Sequence, residues 1–241
     1  MSTDDTTGAY DFAGHPADGG TDDALDDGIP TSFTPSADSF AHDGPRDVGI
    51  VFIGDGFVSG YGDPKGLGWV SRVMGRTSHP DLDVSAYNLG VRGECSADVL
   101  ERWKGEGLLR WQERRERRLV LGVGQNDVLV NLTTARSRLN LANILDDATA
   151  RGIAPFVVGP PPTLDPALNE RIEVIVEAQA DVCARRSVPF VDCFYPLVEH
   201  DQWLSDLGAS RDQRHPGQAG YGLLAWLVLH GGWESWLQIG A

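Results

Sequence analysis

The sequence predicts an α/β domain: a three-layer α/β/α sandwich around a mainly parallel, five-stranded sheet. Three observations predict it. Short apolar runs of strand length recur from position 47 onward. Segments with helical apolar spacing alternate with them. The blocks richest in glycine and polar side chains stand just after the runs, where such sheets bind their ligands.

Val48 to Ile53 is an apolar run ending at Gly54 and reads as a buried strand. Leu67 to Gly75 carries helical spacing at Leu67, Val70, Val73 and Met74. Val84 to Leu89 and Leu119 to Val123 read as the second and third strands. Leu132 to Ala150 reads as a helix, with Leu139, Ile144 and Leu145 among its apolar positions. Ala154 to Val158 is a fourth strand, stopped by Gly159-Pro160-Pro161-Pro162. Leu168, Ile172, Ile175, Val176, Gln179 and Val182 mark one face of a long helix. Val188 to Val191 is the fifth strand, and Pro216 opens a final helix running through His230.

A chain of 241 residues with 41% hydrophobic residues buries a sizeable core, so neither disulfides nor metal are needed as staples. Its net charge of −15, from 35 acids against 20 bases, argues against a nucleic-acid partner. Cys95, Cys183 and Cys193 cannot all pair within one chain, and none forms a CxxC, which speaks against a zinc cluster or redox pair. Buried reduced thiols in a cytoplasmic protein are the expectation. No secretory signal is legible at Met1-Ser2-Thr3-Asp4-Asp5, and Leu223 to Leu229 is too short to span a bilayer. No membrane partner is therefore expected.

Charge divides the chain. Residues 1–46 hold ten Asp and one Arg, a net −9, and leave −6 for residues 47–241. That first stretch is rich in Gly, Asp, Thr, Ser and Pro, and buries too little apolar surface to offset chain entropy. It reads as an acidic, disordered or loosely attached N-terminal tail before a single domain at 47–241.

Four blocks carry the chemistry. Gly54-Asp55-Gly56 follows the first strand and Asn88-Leu89-Gly90 ends the second. Gly124-Gln125-Asn126-Asp127 follows the third, and Asp212-Gln213-Arg214-His215 precedes the last helix. Each alone is weak: a tight turn, a helix cap, a chance spacing. Their order, each beside a strand or helix end, is far more specific.

This set resembles the SGNH (GDSL-type) hydrolases, serine esterases and lipases with a flavodoxin-like sheet. The resemblance covers nearly all of 47–241. Three blocks match the family's pattern fully. The first departs at one position, where Gly56 stands in place of the nucleophilic serine. The resemblance implies hydrolysis of carboxylic esters by acyl transfer. His215 would be the general base, and Asp212 would hold its ring. Gly56, Gly90 and Asn126 would supply the oxyanion hole. No cofactor and no metal are implied.

Ser59 lies one helical turn too deep to replace the missing hydroxyl, and Cys95 lies beyond the glycine block. A water held by His215 in the space at Gly56 is the residual nucleophile expected. Asp55, Val91, Arg92, Val128, Leu129, Pro160 and Pro161 are the expected pocket residues, for a small ester with a short acyl chain. The sequence thus reads as a nucleophile-lacking, inactive variant of a serine esterase. Intact Asp212, His215 and Asn126 favour deliberate inactivation over natural drift. The alternative is a natural pseudo-enzyme serving as a small-molecule or carbohydrate binding module. A dinucleotide fold ranks lower, because Gly54-x-Gly56-x-x-Ser59 lacks the third glycine and Tyr87-Asn88-Leu89 lacks the acid. Oligomeric state is not legible.

Overall fold

The computed structural model describes residues 44–239; the N-terminal tail assigned above lies almost wholly outside them. Five parallel strands form one sheet: β1 (Arg46–Gly54), β2 (Leu82–Gly90), β3 (Glu116–Gly122), β4 (Ile153–Val158) and β5 (Phe190–Val191). Their order is β2-β1-β3-β4-β5. The five expected strands are all present, the fifth shortened to two residues.

Alternation along β1 makes the layers. Val48, Ile50 and Phe52 face one side, with Val120, Phe156 and Val158. Helices α2 (Gly68–Met74), α7 (Asp201–Ala209) and α8 (Gln218–Val228) cover that side through Trp69, Val73, Trp203, Leu224 and Val228. Val51 and Ile53 face the other side, with Leu119, Leu121 and Val157. There α3 (Ser96–Trp111), α5 (Thr134–Ala150) and α6 (Pro166–Ala184) contribute Val99, Trp103, Leu141, Ile144 and Val182. Central strands buried on both faces explain the continuous apolar runs. Asp165 caps α6, with Pro166 in its first turn.

Two helices escaped the sequence reading. Gly105 and Gly107 interrupt α3, whose buried Val99, Trp103 and Trp111 keep only one residue per turn. In α7, Trp203 and Leu207 alone are buried. The last helix ends earlier than expected. It widens into a π-helical segment, Leu229–Trp233, where Gly231 and Gly232 leave helical geometry, before the short helix Glu234–Leu237. Among the described residues no helix is long and apolar enough to cross a membrane. All three cysteines are buried and unpaired.

The sheet order reverses between β1 and β3, so their carboxyl ends open a crevice. Gly54 of β1 is in register with Gly90 of β2 on one side and Gly122 of β3 on the other. The chain segments after these three residues therefore leave the sheet side by side.

Candidate active site

From β1 the chain turns at Asp55 into a single helical turn, α1 (Gly56–Ser59). The Asp55 carboxylate accepts the Phe57 N–H at 2.9 Å and caps that turn. As the first residue of α1, Gly56 has an N–H without an intrahelical acceptor. At the end of β2 the backbone approaches α1 very closely: a Cβ on Gly90 would stand 2.2 Å from the Ser59 nitrogen. Only glycine permits that contact. Asn88 reinforces it, donating from Nδ2 to the Val58 carbonyl at 2.8 Å and accepting the Gly90 N–H at 3.0 Å.

After β3, Gly124 leads into α4 (Gln125–Leu129), which presents Asn126. Asn126 is 4% exposed. Its Nδ2 donates to the Glu94 carbonyl at 2.7 Å and its Oδ1 accepts from Arg214 Nη2 at 2.5 Å. Asp127 is fully buried beneath it, accepting the Ser96 N–H at 2.6 Å and the Ser137 hydroxyl. Asn140 completes this layer by donating to Ser96 Oγ at 3.0 Å. The start of α3, the body of α5 and the turn bearing Asn126 are thereby tied together.

The segment before α8 closes the site. Asp212 Oδ2 lies 2.8 Å from His215 Nδ1, while Oδ1 accepts the backbone N–H groups of His215 at 2.9 Å and Arg214 at 3.1 Å. His215 sits between the Phe57 and Tyr61 rings, with centroids 4.8 and 5.0 Å away. Its Nε2 faces α1, 2.5 Å from the point where a Cβ on Gly56 would stand. Tyr221 braces this wall, donating to the Tyr61 carbonyl at 2.6 Å.

Burial pulls the His215 imidazole below its ordinary pKa. The charges of Arg214 and Arg92 act in the same direction, against the hydrogen bond to Asp212. The ring is therefore a neutral acceptor at pH 7. Burial pushes the Asp212 carboxyl up, but the hydrogen bonds from His215 and Arg214 outweigh it and hold the group below the usual value. Asp55 goes the other way. Burial pushes it up to about 7, against the Phe57 hydrogen bond and the Arg214 charge.

The structure thus sets His215 against Gly56, Asp212 behind His215, Arg92 3.6 Å from Asp212 and Asn126 against Arg214, with Gly90 packed on α1. Several expectations change. The imidazole crowds the space at Gly56, with Nε2 2.5 Å from the point a Cβ would occupy. The Gly90 N–H already has an acceptor in Asn88. Val128 is no pocket wall: it is 3% exposed and packs with Ile172, Ile175 and Phe194 in the core. Asp55, Pro160 and Pro161 line a separate small cavity with Phe57, Trp69 and Leu224, of about 20 Å³, the room one water takes. Val91 and Leu129 are exposed. Ser59 donates its hydroxyl to the Gly56 carbonyl at 2.9 Å, and Cys95 is buried at the start of α3, so neither offers a nucleophile.

Sequence reading missed Arg214. Its Nε donates to Gln125 Oε1 at 2.7 Å and its Nη2 to Asn126, joining the segment before α8 to α4. The spacing Asp-x-x-His gives its two inner positions no weight, so no signal marked it. Among the described residues no group of His, Cys, Asp or Glu is placed to hold a metal ion.

A parallel sheet of this order carries a histidine–carboxylate pair at the carboxyl ends of its strands, an arrangement that α/β hydrolases use for acyl transfer. The chain belongs to the GDSL-like lipase/acylhydrolase family of carboxylic ester hydrolases, whose family model matches residues 52–223. It is 27% identical over 143 residues to esterase TesA of Pseudomonas aeruginosa, covering 58% of this chain and 69% of that one. Among solved structures, the lipase/acylhydrolase of Enterococcus faecalis is 25% identical with a TM-score of 0.61, over 76% of this chain and 94% of its own. A catalytic mutant of Axe2, an acetylxylan esterase from Geobacillus stearothermophilus, shares the fold at 18% identity with a TM-score of 0.65, over 78% of this chain and 94% of that one.

Proposed function

We propose that the cleft is the ester-cleaving site of a serine esterase whose nucleophile position, 56, holds glycine, so that the chain as it stands is catalytically silent. One observation carries the reading: His215 Nε2 is aimed at position 56 while Asp212 holds Nδ1 from behind at 2.8 Å. With serine at 56, Oγ attacks the ester carbonyl and Nε2 takes its proton. The oxyanion develops beside the Gly56 N–H and the second N–H of the Asn126 amide. The Gly90 N–H joins them once it turns from Asn88. His215 then returns the proton to the leaving alkoxide, and a water activated by the same ring releases the acyl group. Asp212 stays ionised and stabilises the imidazolium. A small ester with a short acyl chain is the substrate, because Val91 and Leu129 stand exposed at the surface instead of enclosing a deep apolar pocket. Buried, unpaired cysteines agree with a reducing cytoplasm.

The test is Gly56→Ser, assayed on 4-nitrophenyl acetate and with a phosphonate label. Serine should raise kcat/KM by roughly 10³-fold or more, give an acyl-enzyme burst and take the label at position 56. Adding His215→Ala should abolish all three. A correctly folded Gly56→Ser protein that turns over no member of a broad ester panel and takes no label would overturn the esterase reading. It would favour a binding module on the same fold, a reading that the closure of His215 onto Gly56 also suits.

A further inference from the structure

We propose that this cleft selects esters bearing a carboxylate, held by the guanidinium groups of Arg92 and Arg214. The inference rests on the esterase reading for its reaction, but the anion site can be tested without turnover.

Several arginines of the described chain are held by acids at hydrogen-bond distance: Arg46 by Glu116, Arg102 by Glu94, Arg114 by Asp47 and Arg186 by Asp146. Arg92 and Arg214 are not matched in that way. The acid nearest Arg92 is Asp212, with Oδ2 3.6 Å from Nη2, beyond hydrogen-bond reach. That carboxylate is already committed to the His215 ring and to two backbone N–H groups. Arg214 spends Nε and Nη2 on the neutral amides of Gln125 and Asn126, and its Nη1 has no hydrogen-bond partner among the described residues.

Geometry fixes what Arg92 can do. Its guanidinium lies over the Tyr61 ring with Cζ 3.8 Å from the centroid, and Tyr61 itself packs edge-on to His215 at 5.0 Å. Stacking holds the plane of the guanidinium and leaves its in-plane N–H groups open. The side chain is 54% exposed, so those donors are open to an incoming ligand beside Asp212. A planar fork of this kind matches a carboxylate in two parallel hydrogen bonds.

Electrostatics point the same way. Burial, and then the Arg92 charge, disfavour the charged form of Arg214 against the pull of Asp55 and Asp212, and both guanidinium groups disfavour protonation of His215. Two like charges gathered beside one imidazole repel each other, and an anion placed against both lowers that cost. An anionic substrate relieves that repulsion, and it is held beside the carbonyl that His215 serves.

The experiment compares charged and neutral twins. In Gly56→Ser, kcat/KM is measured for 4-acetoxybenzoate against 4-acetoxybenzamide, with the charge on the alcohol half. Phenyl hydrogen succinate is set against its terminal amide, with the charge on the acyl half. At least a tenfold preference for the anion in one pair at low ionic strength is expected, shrinking in 0.5 M salt, which screens to roughly a few ångström. Arg92→Gln and Arg214→Gln should each bring the ratio towards one, and Arg92→Lys should recover part of it. Independently, the Gly56 chain is titrated calorimetrically with 4-acetamidobenzoate and 4-acetamidobenzamide, in which an amide replaces the scissile ester. Tighter binding of the anion by fivefold or more supports the site even where an arginine variant fails to fold. Equal kcat/KM within both ester pairs, or equal binding of the two amides, overturns it. An inert Gly56→Ser beside a parent chain that still selects the anion would sink the esterase reading alone. An active Gly56→Ser blind to charge would sink the anion site alone.

Discussion

His215 Nε2 stands 2.5 Å from the point a Cβ on Gly56 would occupy, so the imidazole fills the room that a side chain at position 56 would need. Real Cβ atoms do not approach a ring nitrogen that closely. Any larger residue at 56 must push the ring back between Phe57 and Tyr61, which flank it. The φ of Gly56 is not positive, so its backbone accepts an L side chain; the conflict lies entirely with His215.

That relationship predicts a coupling. Gly56→Ala should lower stability by about 1–3 kcal/mol, the usual cost of overpacking. In a His215→Ala background the same change should be close to neutral, because the obstructing ring is gone. Chemical denaturation of the four proteins measures the cycle. Additive costs would show that the penalty at position 56 does not come from His215.

The pH profile of Gly56→Ser follows from the depressed His215 pKa. The neutral ring is the base, so kcat/KM should rise with pH and reach its half-maximum below the ordinary value of 6.5. Arg92→Gln removes one of the charges that push the pKa down, and should move that limb upward. A half-maximum above 6.5 in Gly56→Ser would mean that Asp212 outweighs burial.

Much of this was legible in the sequence because the parallel sheet writes itself plainly. Strands buried on both faces must be apolar throughout, and β1, β3 and β4 were found for that reason. Asp212, His215, Asn126 and Gly56 stand out because their blocks, in this order at strand and helix ends, resemble the pattern of the SGNH hydrolases. What stayed hidden depends on contacts across the fold. Arg214 matters only because α4 brings Gln125 and Asn126 beside it, 88 residues away for Asn126. Val128 escapes sequence reading because a helix turns successive side chains by about 100°, and α4 points Val128 towards α6 while Leu129 faces out. The imidazole's advance onto Gly56 is a packing outcome that no spacing records.

The buried Ser137–Asp127 hydrogen bond should be worth keeping. Ser137→Ala strips one of the two partners from a fully buried carboxylate, at a cost of about 1–3 kcal/mol. Because Asp127 adjoins Asn126, the variant should also lose activity in the Gly56→Ser background, seen in kcat more than KM. Unchanged stability would show that Asp127 gains a water in exchange.

Residues 1–43 lie before the first described strand, and their acidic, apolar-poor composition predicts little contribution to the fold. Deleting them should leave Tm nearly unchanged. Deleting through Arg46 should not, since Arg46 starts β1 and donates to both oxygens of Glu116 at 2.6 Å and to the Leu237 carbonyl at 3.0 Å. Equal loss in both truncations would place the cost in the tail.

Asp55 gives a pH test of stability that needs no activity at all. Its carboxyl is buried, and burial pushes its pKa up to about 7 from 3.8 in a free chain. Between those values the folded state holds a proton that the unfolded state has released. Its contribution is therefore fully present below pH 3.8 and is lost as pH rises through 7. The span corresponds to about 4 kcal/mol at 1.36 kcal/mol per unit. Asp55→Asn keeps an acceptor for the Phe57 N–H and removes the titration. The variant should gain stability relative to the parent steadily from pH 4 to pH 7, with no further gain above. Urea denaturation of both proteins at several pH values reads the difference directly. A difference that does not change with pH would mean that Asp55 is ionised throughout, with the Arg214 charge offsetting its burial.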